Sequence, residues 1–216
     1  MARPLVIFDF DGTVADSFAE TLLAYNHIAP RLRLRTVKVM EVPELRCLGA
    51  GQVMQRLGIP MWKLPRLMIA VRSELHDHFH SVKPFPGITT AVRDLHQAGC
   101  RLAMVTSNSE DNVRNFMSRH GITEFETIIA GATIFGKATR LRRLIKTANA
   151  DHAASVYVGD TIPDIRAAQE AKTLAVGVAW GFSDPALLAA EAPDALVMVP
   201  GKLAATILGL PVKNQN

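Results

Sequence analysis

The sequence predicts an α/β chain: a doubly wound parallel sheet with an α-helical domain inserted after its first strand. Three observations predict it. Short apolar runs recur along the chain without polar alternation, as strands covered on both faces require. Amphipathic helical patterns separate the later runs, which is the rhythm of βαβ units. Between the first run and the first of those helices lie some 70 residues with no clear strand, too many for one crossover in a compact sheet.

The elements follow in order. Residues 5–9 form an apolar run that ends in an acid, a buried strand by composition. Segments 18–32, 41–57 and 62–79 read as helices of the insertion. Pro84-Phe85-Pro86-Gly87 marks the return to the sheet. The expected division is therefore core at 1–15, an inserted helical domain at 16–83 and core again at 84–216. A helix over 88–98 stops at Gly99, and one over 110–120 stops at Gly121. Strands are expected at 101–106, 127–130, 155–159 and 173–179, with a weaker one at 195–199. Helix 138–148 carries Leu141, Leu144 and Ile145 on one face, and helix 164–171 has Pro163 at its start.

Composition narrows the function classes. With 216 residues, 49% hydrophobic and 20% charged, the chain can bury a core and is not disordered. The apolar runs fall far short of the ~20 residues of a membrane span. A net charge of +4 favours small anionic ligands over nucleic acid. Arg140, Arg142, Arg143 and Lys146 oppose an apolar helix face, as solvated residues do. Cys47 and Cys100 form no Cys-x-x-Cys pair and no bridge framework, and the N-terminus has no secretory pattern, so a reducing cytoplasm is expected. Oligomeric state is not encoded in any pattern here.

The chemistry gathers at strand ends, where open α/β sheets bind ligands. Asp9-Phe10-Asp11-Gly12-Thr13 closes the first strand. Asp9 and Asp11, two apart, are expected on one strand face, and such a pair needs a cation or a shared proton. Gly12 permits the sharp turn after them. Thr106-Ser107-Asn108-Ser109 supplies hydroxyls and backbone N–H groups suited to phosphate oxygens. Gly159-Asp160-Thr161-Ile162-Pro163-Asp164 adds a second acidic pair, and Lys137 opens a helix after Phe135-Gly136. Oxygen ligands completed by a phosphate are what Mg²⁺ prefers.

Asp9-x-Asp11-Gly12-Thr13, Thr106, Lys137 and Gly159-Asp160-x-x-x-Asp164 stand in the order of four motifs, and the chain resembles the haloacid dehalogenase-like superfamily over nearly its whole Rossmann-like core. The run from Asp164 to Ala171 and Val176-Gly177-Val178-Ala179-Trp180-Gly181 is most similar to the phosphoglycolate phosphatase-like branch. The resemblance implies roles. Asp9 would be the nucleophile and form an aspartyl-phosphate. Asp11 would be the general acid and base, its carbonyl also on Mg²⁺. Asp9 and Asp160 would complete the metal site, with Asp164 close behind, directly or through water. Gly12, Thr106, Ser107, Asn108 and Lys137 would bind the phosphoryl group. The acid at Asp11 separates phosphatases and phosphomutases from the family's dehalogenases, which lack it, and from its transport ATPases, which carry Thr there. The helical insertion resembles the cap domain of the phosphoglycolate phosphatase-like branch, though it looks short for one, and Val14 stands where Leu is usual.

The expected activity is Mg²⁺-dependent hydrolysis of a small phosphomonoester, phosphoglycolate or a sugar phosphate. A phosphomutase of the same superfamily and a non-enzymatic phospho-acceptor module are the alternatives. Simpler roles stand beside the sharper ones: Thr106-Ser107-Asn108 as a helix cap, Lys137 as a surface lysine, Asp164 as an acid at a helix dipole. His76, His78 and His80 are expected to be a cap-surface cluster rather than a metal site. Met54, Met61, Met68 and Trp62 are expected to pack the cap. Arg46 and Arg56 are candidate cap contacts to a substrate anion.

Overall fold

The computed structural model describes residues 4–131 and 136–211, apart from the Asp77 side chain; Phe135 lies outside them. The chain runs through β1 (Leu5–Phe8), β2 (Ala15–Asp16), α1 (Phe18–Ile28), α2 (Val42–Arg46), α3 (Ala50–Leu57), α4 (Leu64–His78) and β3 (Lys83–Pro84). It continues through α5 (Ile88–Gln97), β4 (Arg101–Val105), α6 (Glu110–His120), β5 (Phe125–Ile129), α7 (Lys137–Thr147), β6 (Val156–Gly159) and α8 (Ile162–Glu170). It closes with β7 (Leu174–Val178), α9 (Pro185–Ala190), β8 (Ala195–Val197) and α10 (Leu203–Leu208).

Six strands pair in parallel in the order β5-β4-β1-β6-β7-β8. The period-2 geometry of a strand divides the core in two. Val6 and Phe8 face one side, with Met104, Val156 and Val158, against α5, α6 and α10. Leu5 and Ile7 face the other, with Tyr157 and Ala175, against α7, α8 and α9. Both faces are therefore covered, which is why the strands read as continuous apolar runs. Each large side chain so buried contributes roughly 1.5–3 kcal/mol. The chain leaves β1 towards β4 and β5, then returns to β6 on the other side of β1. Connections diverge at the carboxyl end of β1, and this is the crevice where such sheets bind ligands.

The segment between β1 and α5 is helical, and it leaves and re-enters the core through the antiparallel β2–β3 ribbon, where Ala15 faces Pro84 and Asp16 faces Lys83. It has a small core of its own, with Ile28, Leu34, Leu57, Ile59 and Leu67 buried together, and α1 packs on α4. Its helices are shorter than the sequence suggests. Pro30 lacks an N–H and ends α1 at Ile28, leaving a 3₁₀ turn over Pro30–Leu32. The expected helix 41–57 breaks into α2 and α3 around Gly49, whose extended backbone starts α3. Helix α4 begins at Leu64, with Pro65 in its first turn. No described helix is long and apolar enough to cross a membrane.

Candidate active site

The site forms where β1, β4 and β6 end. Asp9 still joins the ladder, its N–H donating to the Val158 carbonyl at 2.8 Å. The strand itself stops at Phe8, so Asp11 is not on a shared strand face with Asp9 as expected. It lies in the tight turn that follows, where the Val14 and Ala15 N–H groups both donate to the Phe10 carbonyl at 2.9 Å. Burial of Phe10 against Phe79 and Phe116 anchors that turn. Gly12 has φ +77°, and a Cβ there would overlap the Asp160 carboxylate. Gly181 has the same problem from the other side. Small residues are needed because two loops close on one carboxylate.

Asp9, Asp160 and Asp164 each bring an oxygen to within 4.8 Å of the others. Asp160 is held by Thr13 Oγ1 at 2.9 Å and the Phe182 N–H at 2.7 Å. Asp164 occupies the third position of α8. Its Oδ2 accepts from the Thr161 N–H at 3.0 Å and the Thr161 hydroxyl, closing a capping box. Its Oδ1 accepts from Lys137 and, at 3.2 Å, from the Tyr157 hydroxyl. Asp164 thus caps its helix and still faces the cluster. Lys137 Nζ bridges Asp9 Oδ2 at 3.2 Å and Asp164 Oδ1 at 2.5 Å. It also sits 5.6 Å from the centre of the Tyr157 ring.

Three carboxylates against one ammonium leave an excess of two negative charges in a buried site. The electrostatics register that excess. Burial, with Asp164 and Asp11 nearby, outweighs Lys137 and raises the Asp9 carboxyl from 3.8 to about 7. Burial, with Asp164 and Asp9, pushes Asp160 well above its ordinary value. Burial alone would lower Lys137, but Asp164 and Asp9 hold it well above the ordinary lysine range. An oxygen-donor set this crowded and this negative fits a small divalent cation.

Asp11 stands beside this cluster and is held differently. Ser17 Oγ donates to its Oδ1 at 2.7 Å, and Asn108 Nδ2 reaches Oδ1 at 3.1 Å and Oδ2 at 2.9 Å. Burial raises its carboxyl; the Ser17 and Asn108 bonds and the charges of Lys137 and Arg72 oppose that. The amide of Asn108 is thus directed at Asp11, and the Gly12 N–H is taken by the Ala15 carbonyl at 2.9 Å. Thr106 Oγ1 accepts the Asn108 N–H at 3.0 Å, and Ser107, half-buried, hydrogen-bonds to no other described residue. The cap of α6 is Ser109, which accepts the Asn112 N–H, rather than Thr106 to Asn108.

Thr13, part of the first motif, holds Asp160, while three further participants carry no sequence signal strong enough to single them out: Tyr157 and Phe182 hold carboxylates, and Ser17 holds Asp11 from the start of α1. Tyr157 was hidden inside an apolar strand. The insertion's arginines also sort differently. Arg46 reaches the carbonyls of Gly181 and Phe182, and Arg56 pairs with Glu44 at 2.8 Å on the surface. Arg72 of α4 is half-buried and makes no hydrogen bond or ion pair with another described residue, and its charge reaches Asp11. Of the histidines, His76 bonds Asn112 and His78 lies 3.8 Å from Glu74, and they form no metal-ligand group among the described residues.

The family model for haloacid dehalogenase-like hydrolases matches residues 6–178. The chain belongs to the haloacid dehalogenase-like hydrolases. It is 32% identical to a phosphoglycolate phosphatase of Synechococcus elongatus, over 92% of this chain and 94% of that one. It is 30% identical to a phosphoglycolate phosphatase of Agrobacterium fabrum, over 90% and 88%. A haloacid dehalogenase-like hydrolase of Streptococcus pneumoniae superposes with a TM-score of 0.78 at 18% identity, covering 94% of this chain and 98% of that one, a likeness of fold. The hydrolase therefore places its acidic cluster at the switch point of that fold.

Proposed function

We propose that this hydrolase, a phosphatase of its family, cleaves 2-phosphoglycolate or a close relative by way of an aspartyl-phosphate on Asp9, with Mg²⁺ held by Asp9, Asp160, Asp164 and the Asp11 carbonyl. The single observation that carries the reading is the buried cluster of Asp9, Asp160 and Asp164 bridged by Lys137. Bound there, Mg²⁺ supplies positive charge against the phosphoryl oxygens. The rest falls to the chain's own groups. An Asp9 oxygen attacks phosphorus, while Lys137 and the Thr106 and Ser107 groups hold the oxygens that gain charge. Asp11 gives its proton to the departing alkoxide, then takes one from the water that releases phosphate. Residues 16–83 act as the cap that shields this exchange from bulk water. Arg72 meets the carboxylate of phosphoglycolate, which suits a guanidinium whose charge reaches Asp11 and which makes no hydrogen bond or ion pair with another described residue. The free thiols of Cys47 and Cys100 suit a reducing cytoplasm.

Phosphate release from a panel of phosphomonoesters, with Mg²⁺ and with a chelator, tests the reading. The expected result is chelator-sensitive turnover, fastest on 2-phosphoglycolate and lost in Asp9→Asn. Isomerised sugar phosphate with little free phosphate would overturn it in favour of a mutase. Stable labelling without turnover would overturn it in favour of a phospho-acceptor module.

A further inference from the structure

Asp11 is the end of a hydrogen-bond chain that begins on the insertion. Asn108 Nδ2 straddles both Asp11 oxygens, at 3.1 and 2.9 Å. Asn108 Oδ1 faces the other way and accepts the Ser109 N–H at 2.8 Å and Asn112 Nδ2 at 2.9 Å. A backbone N–H can only donate, so the Asn108 amide has one orientation, with its NH₂ on Asp11. The same logic passes along. Asn112 spends its NH₂ on Asn108, which turns its Oδ1 towards His76 Nδ1 at 2.7 Å. His76 must therefore carry its proton on Nδ1. Asn108 and Asn112 are both buried, so each unmade bond there is costly.

We infer that His76 is a positioning residue for Asp11, acting through Asn112 and Asn108. It lies in the last turn of α4, just before the chain returns to the core at β3. Ser17, which holds Asp11 Oδ1, stands at the N-terminal boundary of α1, just after the chain leaves the core at β2. The insertion thus grips Asp11 at both of its ends. Seating α4 completes the chain, and a network of this kind strengthens each of its members. The acid is in this way aimed only when the helical layer is in place. This inference rests on Asp11 being the general acid of the proposed function.

Leaving-group dependence separates positioning from packing. A general acid matters for an alkoxide leaving group and little for a stabilised phenolate. The ratio of kcat/KM for the best alkyl ester of the panel to that for 4-nitrophenyl phosphate is the readout, because kcat/KM reports steps up to phosphoryl transfer. Loss of one hydrogen bond gives about a three- to tenfold change. We expect His76→Leu to lower the alkyl value by that amount and the nitrophenyl value by less than about twofold. His76→Asn, which can present an N–H near the Nδ1 position, should restore the ratio. Asp11→Asn should show the same discrimination, larger. Equal losses on both esters in His76→Leu, with discrimination kept in Asp11→Asn, would overturn the inference alone. No discrimination in Asp11→Asn would overturn the acid role of Asp11, and the inference with it.

Discussion

Lys137 sets the character of the site at the residue scale. Its ammonium touches two of three clustered carboxylates, and the third, Asp160, is held by hydrogen bonds alone. The cluster keeps its charge only if a cation balances it, or gives it up by binding protons. Arg72 is the complementary residue on α4. If it meets the substrate's carboxylate, Arg72→Leu should cost about 10- to 100-fold in kcat/KM on 2-phosphoglycolate, the range of a hydrogen bond to a charged group. An ester without a carboxylate should change far less. Equal losses on both would remove Arg72 from specificity. The acidic residues and Lys137 were legible in the sequence because strand ends and motif order announce them. Arg72 was not, because the sequence does not say which arginine is already paired; Arg46 and Arg56 looked equally available.

Elements show what pattern can and cannot supply. Glu110–His120 is foreseen to the residue, with Gly121 as its stop, although its cap is Ser109 and not the preceding Thr106 to Asn108. The sheet strands lie within about two residues of their apolar runs. The two-residue ribbon of Ala15–Asp16 and Lys83–Pro84 has no periodicity to read, and α10 is too short to declare one. Helix α9 did have a signal, Asp184 before Pro185, with Asp184 accepting the Ala186 N–H. Helix α8 offers a test at this scale, since Asp164 both caps it and completes the cluster. Asp164→Asn keeps the cap and removes the charge; Asp164→Ala removes both. Both should lose activity. In metal-free protein Asp164→Ala should be less stable than Asp164→Asn by about 0.5–2 kcal/mol, the worth of a cap. Urea melts would show it, and equal midpoints would mean that the capping box carries no stability.

The whole molecule couples folding, protons and metal. A carboxyl raised from 3.8 to about 7 binds its proton more tightly in the folded state than in the unfolded chain. Its contribution to stability is therefore full below pH 3.8 and lost as the pH rises through about 7. Metal must displace that proton, so affinity for it grows over the same range. Thermal unfolding at pH 5.5 and pH 8, with and without Mg²⁺, should show the larger Mg²⁺-induced rise in Tm at pH 8. A larger rise at pH 5.5 would contradict the electrostatic account. The fold class was legible at this scale because covered strands and an over-long first crossover show in the order and spacing of apolar runs. The closure of the Gly181–Phe182 loop on Asp160 was not, because it joins residues 22 apart through a backbone N–H that any sequence carries.

The central claim is that Asp9 takes the phosphoryl group. Enzyme quenched during turnover of 2-phosphoglycolate with Mg²⁺ can be treated with borohydride, which reduces an acyl phosphate to the alcohol, and then mapped by peptide mass spectrometry. The account predicts homoserine at position 9, absent without Mg²⁺ and absent without substrate. Continuing phosphate release with position 9 unmodified and the reduced residue elsewhere, or with no reduced residue at all, would contradict it.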